Sequence, residues 1–131
     1  MAETIKPGAV IFAKHVVRLV RFYETLVPMA IIGTDHGAVF LETDALQLVI
    51  HPIPKAIAAQ IEIAEPPEPR ADSAVKLVFA VDSLARVREQ AAELGGGMND
   101  TSTEFVARGF RACDGHDPEG NIVQFRMDEA T

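Results

Sequence analysis

The side chains able to do chemistry in this chain are few, and their spacing matters as much as their type. Near the C-terminus Ile122, Gln124 and Arg126 alternate with Val123, Phe125 and Met127, the two-residue period of a strand with unlike faces. Gln47, Val49 and His51 alternate in the same way, and over 74–81 Lys76, Val78 and Ala80 alternate with Val75, Leu77, Phe79 and Val81. Because successive strand side chains point to opposite sides, Gln47, Val49, His51, Lys76, Val78, Ala80, Ile122, Gln124 and Arg126 are expected to share the face turned away from the helix-packed apolar side. That face is mostly apolar with a few polar groups, the composition of small-molecule sites. An ammonium such as Lys76 can hold a carboxylate, enolate or phenolate while glutamine amides orient it. Desolvation lowers a lysine pKa, the route by which lysines become bases or Schiff-base nucleophiles. Against this, a lysine near a strand end can snorkel to water, and a cleft amide can serve a backbone group. Cys113 has no histidine fixed beside it by spacing and reads as a buried, inert thiol.

Two similar segments must position these groups. Val10-Ile11-Phe12-Ala13 precedes a helical pattern of Val16, Leu19, Val20, Tyr23, Leu26 and Val27, and Leu77-Val78-Phe79-Ala80-Val81 precedes Leu84, Val87, Ala91 and Leu94. Asp82 or Ser83 can cap the second helix, and Gly95-Gly96-Gly97 ends it. At an offset of 67 residues the segments match at Phe12/Phe79, Ala13/Ala80, Val20/Val87 and Arg21/Arg88. Three strand-like runs follow each helix: 29–33, 38–42 and 46–51 in the first half, then one from 97–99, one over 105–113 and one over 122–127. Asp114 to Asn121 reads as a turn feeding the last strand, with Pro118 presetting φ. The order is β-α-β-β-β, repeated: a module over 7–51, a linker over 52–72 with five prolines and several acids, and a second module over 73–128. Within the linker 56–61 can make a short helix, and its acids are expected to meet Arg108, Arg111 and Arg126.

Composition narrows the function. The 131 residues fit one α+β domain that buries its own core, and 48% hydrophobic with 24% charged residues is an ordinary soluble balance. A net charge of −7 argues against nucleic-acid backbones as partners. No apolar run reaches the about 18 residues that would span a membrane. Met1-Ala2-Glu3-Thr4 lacks the basic-then-apolar design of a signal peptide. One cysteine and no internal disulfide suit a reducing cytoplasm.

With Phe22-Tyr23-Glu24 on the first helix and Asp117-Pro118-Glu119-Gly120-Asn121 before the last strand, the doubled module resembles the vicinal oxygen chelate superfamily. Its members include glyoxalase I, bleomycin- and fosfomycin-resistance proteins and extradiol dioxygenases. The decapeptide 112–121 resembles an uncharacterised branch of it. The resemblance implies a curled sheet from each module, the two sheets forming one cleft, and commonly a homodimer in which some members complete the cleft across the subunit interface.

The resemblance also implies a divalent metal held by His and Glu on the first and last strands of each module. Carried over position by position, those places fall at Gly8 (or Ala9), Gln47, Lys76 (or Val75) and Gln124. Glycine offers no donor, lysine repels a cation, and glutamine is a weaker ligand than glutamate. The expectation is a cleft that binds a small organic molecule with neither metal nor cofactor, as in the drug-sequestering branch, with Lys76 where the ion's charge would be. Absence of Trp and a single Tyr leave little for stacking a large planar drug. One rival is a lyase, isomerase or dioxygenase-like enzyme acting on a carboxylate or vicinal-oxygen substrate. It would use Lys76 or His51 as acid or base, or recruit a metal through His51 with Glu42 or Asp114. The other is a regulatory domain with a vestigial cleft.

Overall fold

The computed structural model describes residues 5–129; Met1–Thr4, read above for signal-peptide design, lie outside them. The first module runs β1 (Gly8–Ala13), α1 (Val16–Leu26), β2 (Ala30–Asp35), β3 (Ala38–Glu42) and β4 (Gln47–Pro52), in a sheet ordered β1-β4-β3-β2 with β1 parallel to β4. A single helical turn, α2 (Lys55–Ala58), opens the linker. The second module runs β5 (Leu77–Ala80), α3 (Leu84–Glu93), β6 (Gly97–Met98), β7 (Phe105–Ala107), β8 (Phe110–His116) and β9 (Ile122–Asp128). Its sheet is ordered β5-β9-β8-β6, with β7 also paired to β8. The architecture is α+β, two tandem β-α-β-β-β modules. Among the described residues no helix is long and apolar enough to cross a membrane.

Three details depart from the sequence reading. The run 105–113 is not one strand. Arg108 and Gly109, both left-handed at φ 47° and 83°, make a two-residue hairpin between β7 and β8, and β6 and β7 flank β8 as one interrupted strand around a 3-10 turn, Thr101–Thr103. Asp114 and Gly115 belong to β8 rather than a turn. Gly115 is glycine because a Cβ there would press on the Gly97 carbonyl and the Met98 sulfur. Finally, the 67-residue match puts unlike faces together: Phe12 is exposed and Phe79 buried, Ala13 buried and Ala80 exposed. The helix N-caps, His15 and Ser83, differ by 68 instead, which pairs the buried Ala13 with Val81 and Leu19 with Val87.

One core serves both modules. α1 buries Leu19, Val20, Phe22, Tyr23 and Leu26, and α3 buries Leu84, Val87 and Ala91, together with Leu48, Ile50, Phe79 and Phe125 from the sheets. Ser83 accepts a hydrogen bond from the Arg86 amide at 3.1 Å as an N-cap, and the Arg86 guanidinium reaches the Leu26 carbonyl at the end of α1. Val75, expected on the core-facing side of the fifth strand, precedes that strand and is 69% exposed.

The tightest tie between modules is polar. Tyr23 of α1 donates its hydroxyl to Asp117 Oδ2 at 2.7 Å, and both residues are fully buried. The Asp117 carboxylate also accepts from the Glu119 and Asn121 amides and from Asn121 Nδ2, at 2.8–3.0 Å. Two residues on, buried Glu119 accepts the Lys14 and His15 amides that lead into α1, at 2.9 and 2.7 Å, placing a carboxylate at the helix's positive end. The Arg70 amide donates to the Gly120 carbonyl at 2.8 Å, pinning the linker to the same turn. The linker's acid partner is Arg18, which holds Glu65 in a two-pronged pair; Arg111 pairs instead with Glu104 and Glu129, and Arg126 turns to the opposite face of its sheet.

Burial pushes the Asp117 carboxyl and the Tyr23 hydroxyl above their ordinary pKa values, against the hydrogen bonds that favour the Asp117 anion. Asp117 therefore contributes stability most fully below the ordinary carboxylate range and loses it as pH rises through its folded-state value. Its four donors counter part of that burial cost. Tyr23→Phe should remove one donor from a buried carboxylate and cost about 1–3 kcal/mol, read as a lower urea midpoint with unchanged slope; an unchanged midpoint would show the bond to be expendable.

Candidate functional site

Each sheet has a face turned away from the helices. In the second module register sets the residues of that face. Asp114, Gln124 and Val78 stand in one row across β8, β9 and β5, and Ala112, Arg126 and Ala80 stand in the next. Lys76, in the segment entering β5, donates to Asp114 Oδ2 at 2.8 Å, and Gln124 Nε2 donates to Asp114 Oδ1 at 3.0 Å. Arg126 Nε donates to Gln124 Oε1 at 2.6 Å, and its guanidinium lies over the Phe110 ring, 4.2 Å from the centroid. Gln124 is thereby buried, 4% exposed, with its amide engaged at both ends. The result is one continuous chain: Lys76, Asp114, Gln124, Arg126, Phe110.

The first module builds a related set. Glu42 and Gly8 flank Gln47, Phe40 and Val10 flank Val49, and Phe12 stands beside His51. Lys6 donates to Glu42 Oε1 at 2.7 Å and Gln47 Nε2 to Glu42 Oε2 at 2.9 Å. So each sheet carries an acid, a glutamine directly opposite it on the last strand, and a lysine from the segment entering the first. Farther along, His51 packs on Phe12, ring centroids 5.3 Å apart, with Nδ1 2.8 Å from the Pro52 carbonyl. Val10, Phe12 and Val78 leave 54%, 59% and 41% of their surface exposed.

The structure divides the sequence-derived residues between two sheets: Gln47, Val49 and His51 on one, Lys76, Val78, Gln124 and Arg126 on or beside the other. No hydrogen bond or ion pair among the described residues links the two sets. Lys76 reaches the open face, but its charge is taken by Asp114. His116, read as a loop residue, ends β8, and burial lowers its pKa. Cys113 points to the core and is fully buried beside Arg88. Sequence reasoning passed over Phe12, Phe110 and the roles of Glu42 and Asp114. Glu42 was within reach by counting back across the Thr43-Asp44 hairpin from Gln47; Asp114 was hidden by the Asp-Gly pair that mimics a turn.

These donors do not fit a divalent cation. A Cβ on Gly8 would collide with the Gln47 carbonyl oxygen, so no ligand side chain can stand there without moving the backbone. The Glu42 and Asp114 carboxylates are already neutralised by lysines, and both glutamine amides donate to them. Nor does any group of three or more His, Cys, Asp and Glu converge among the described residues. Glu42, His51 and Asp114, the donors a metal-dependent enzyme would need, are apart: Glu42 and His51 sit at opposite ends of one sheet and Asp114 on the other.

No protein-family model matches the chain, and no curated protein does. Solved structures do match along almost its whole length. A glyoxalase/bleomycin resistance protein/dioxygenase family enzyme from Burkholderia phytofirmans PsJN aligns with TM-score 0.66 and 16% identity over 93% of this chain and 97% of that one. A glyoxalase/bleomycin resistance protein from Albidiferax ferrireducens T118 gives 0.66 and 15% over 94% and 98%. The fosfomycin resistance protein FosX from Mesorhizobium loti gives 0.63 and 15% over 98% and 95%. At these identities the likeness is one of fold.

Hydrogen bonds from Lys6 and then Gln47 hold the Glu42 carboxyl below its ordinary value of 4.5. A depressed carboxylate contributes stability above the ordinary range and loses it as pH falls through the folded-state value. Lys6→Met should therefore flatten the acid side of the stability profile, compared by urea unfolding in steps from about pH 6 down to about pH 3. Profiles that stay parallel would mean the pair contributes nothing.

Proposed function

The chain has the fold of the vicinal oxygen chelate superfamily, and from that premise we propose that it binds a small organic molecule in its cleft without a divalent metal. The observation that carries this reading is the double closure of acid, glutamine and lysine on the two open faces. Each lysine ammonium supplies, from within the chain, the positive charge that a bound cation would bring. Sequestration needs apolar surface and a few orienting groups, and Val10, Phe12, Val78 and Ala80 provide the former, while Val49 is buried. Equilibrium dialysis against micromolar Ni²⁺, Zn²⁺ or Mn²⁺, followed by metal analysis, should find far less than one ion per chain; a stoichiometric, chelator-sensitive ion would overturn the reading.

This division between sheets supports a homodimer as the complete binding unit. Among the described residues β1 and β5 are sheet edges without a further strand, and their outward Val10, Phe12 and Val78 are apolar and exposed, a surface that a second copy would cover. Sedimentation equilibrium should give twice the chain mass, and Phe12→Glu should shift it toward the monomer. A wild-type monomer at tens of micromolar would contradict this.

A metal-free lyase or isomerase is the second reading, favoured by His51. With Nδ1–H donated to the Pro52 carbonyl, Nε2 is left as the acceptor, the tautomer a general base requires. Turnover of a carboxylate substrate that survives His51→Gln would set this reading aside.

A further inference from the structure

Resting on the cleft reading above, we propose that the ligand is an organic carboxylate and that Arg126, not Lys76, is its anchor. Lys76 spends its charge on Asp114, and Lys6 on Glu42, so neither ammonium is free to receive an anion. Arg126 differs from both. It forms no ion pair among the described residues; only its Nε is bonded, to the neutral Gln124 oxygen. Asp128, two residues on along the same face, is exposed and within ion-pair distance of no described cation, Arg126 included. The fork of the guanidinium, its two terminal NH₂ groups, therefore has donors to offer.

The surroundings hold that fork ready. Bonding at Nε and the Phe110 ring beneath fix the plane of the guanidinium, which reduces the side-chain entropy lost when it takes a second partner. In register stand fully buried Ala112 on one side and exposed Ala80 on the other, and the single methyl of Ala80 leaves that flank of the guanidinium open. Beyond Ala80 the exposed Val78 continues the face as apolar surface. A fork matched to two coplanar oxygens, next to an apolar strip, suits a carboxylate carried on a hydrophobic or aromatic body. The face selects against a dianion, because exposed Asp128, without a cationic partner among the described residues, lies two residues from the arginine along the strand.

The test uses the full chain and two probes of one shape, 1-naphthoate and its neutral counterpart 1-naphthamide, measured by isothermal titration calorimetry. Wild type should bind the carboxylate about 10- to 100-fold more tightly than the amide, the range for a hydrogen-bonded charge. Arg126→Gln should abolish that preference, the carboxylate losing about 10- to 100-fold more affinity than the amide; Arg126→Lys, which keeps the charge and loses the fork, should retain part of it. Urea midpoints of the variants establish that they are folded. If the amide binds wild type as tightly as the carboxylate, or if Arg126→Gln keeps the preference, the anchor assignment is wrong and the cleft reading survives. If neither probe binds at millimolar concentration, both fall.

Discussion

A single buried carboxylate organises this molecule. Asp117 sits in the interior with no ion-pair partner among the described residues, and there its charge is met by the Tyr23 hydroxyl, two backbone amides and one side-chain amide. Three of those donors belong to its own turn and one to the first module's helix, so satisfying the anion closes the turn and docks the modules at once. An unmet carboxylate at that depth would be far more costly than the hydrogen bonds are individually favourable. Glu119 extends the clamp to the start of α1 and Gly120 to the linker. Gln124 and Arg126 lie on the strand this turn launches, so their position relative to the rest of the chain derives from it.

Much of this was legible in the residues. Short apolar runs followed by three-and-four spacing marked both strand–helix pairs, and strict alternation in 122–127 is enough to put Gln124 and Arg126 on one face with Val123 and Phe125 on the other. The Tyr23 and Asp117 motifs were visible as separate words; that they form one bond was not, because nothing in spacing reports a contact across 94 residues. Local signals also misled where two physical causes share one residue type. Gly115 follows Asp114 as a turn glycine would, yet it is there for a close approach between strands. Gly109, in an apolar run, was the turn. The polar network was beyond reach because it depends on register: Asp114 meets Gln124, and not Ile122 or Arg126, only through the β8–β9 pairing.

The two modules make different use of one device. In each, a lysine and a glutamine close on an acid, and the closure leaves the local charge near neutral. The first module adds His51 and Phe12 beyond its closure; the second adds Arg126 and Phe110. An aromatic ring thus packs against His51 on one face and against Arg126 on the other. Repetition of the scaffold puts the acid–glutamine pair at equivalent positions in both sheets, Glu42 opposite Gln47 and Asp114 opposite Gln124.

The substitution of internal lysines for a bound cation is the claim on which the functional picture stands. It is read most directly from the side-chain amide resonances of Gln47 and Gln124 during a titration with paramagnetic Mn²⁺. Both amides are committed to carboxylates that lysines already neutralise, so their signals should keep their line widths up to millimolar ion, apart from broadening shared by the whole surface. Selective loss of either signal at a few equivalents of Mn²⁺ would place a cation between those strands and contradict it.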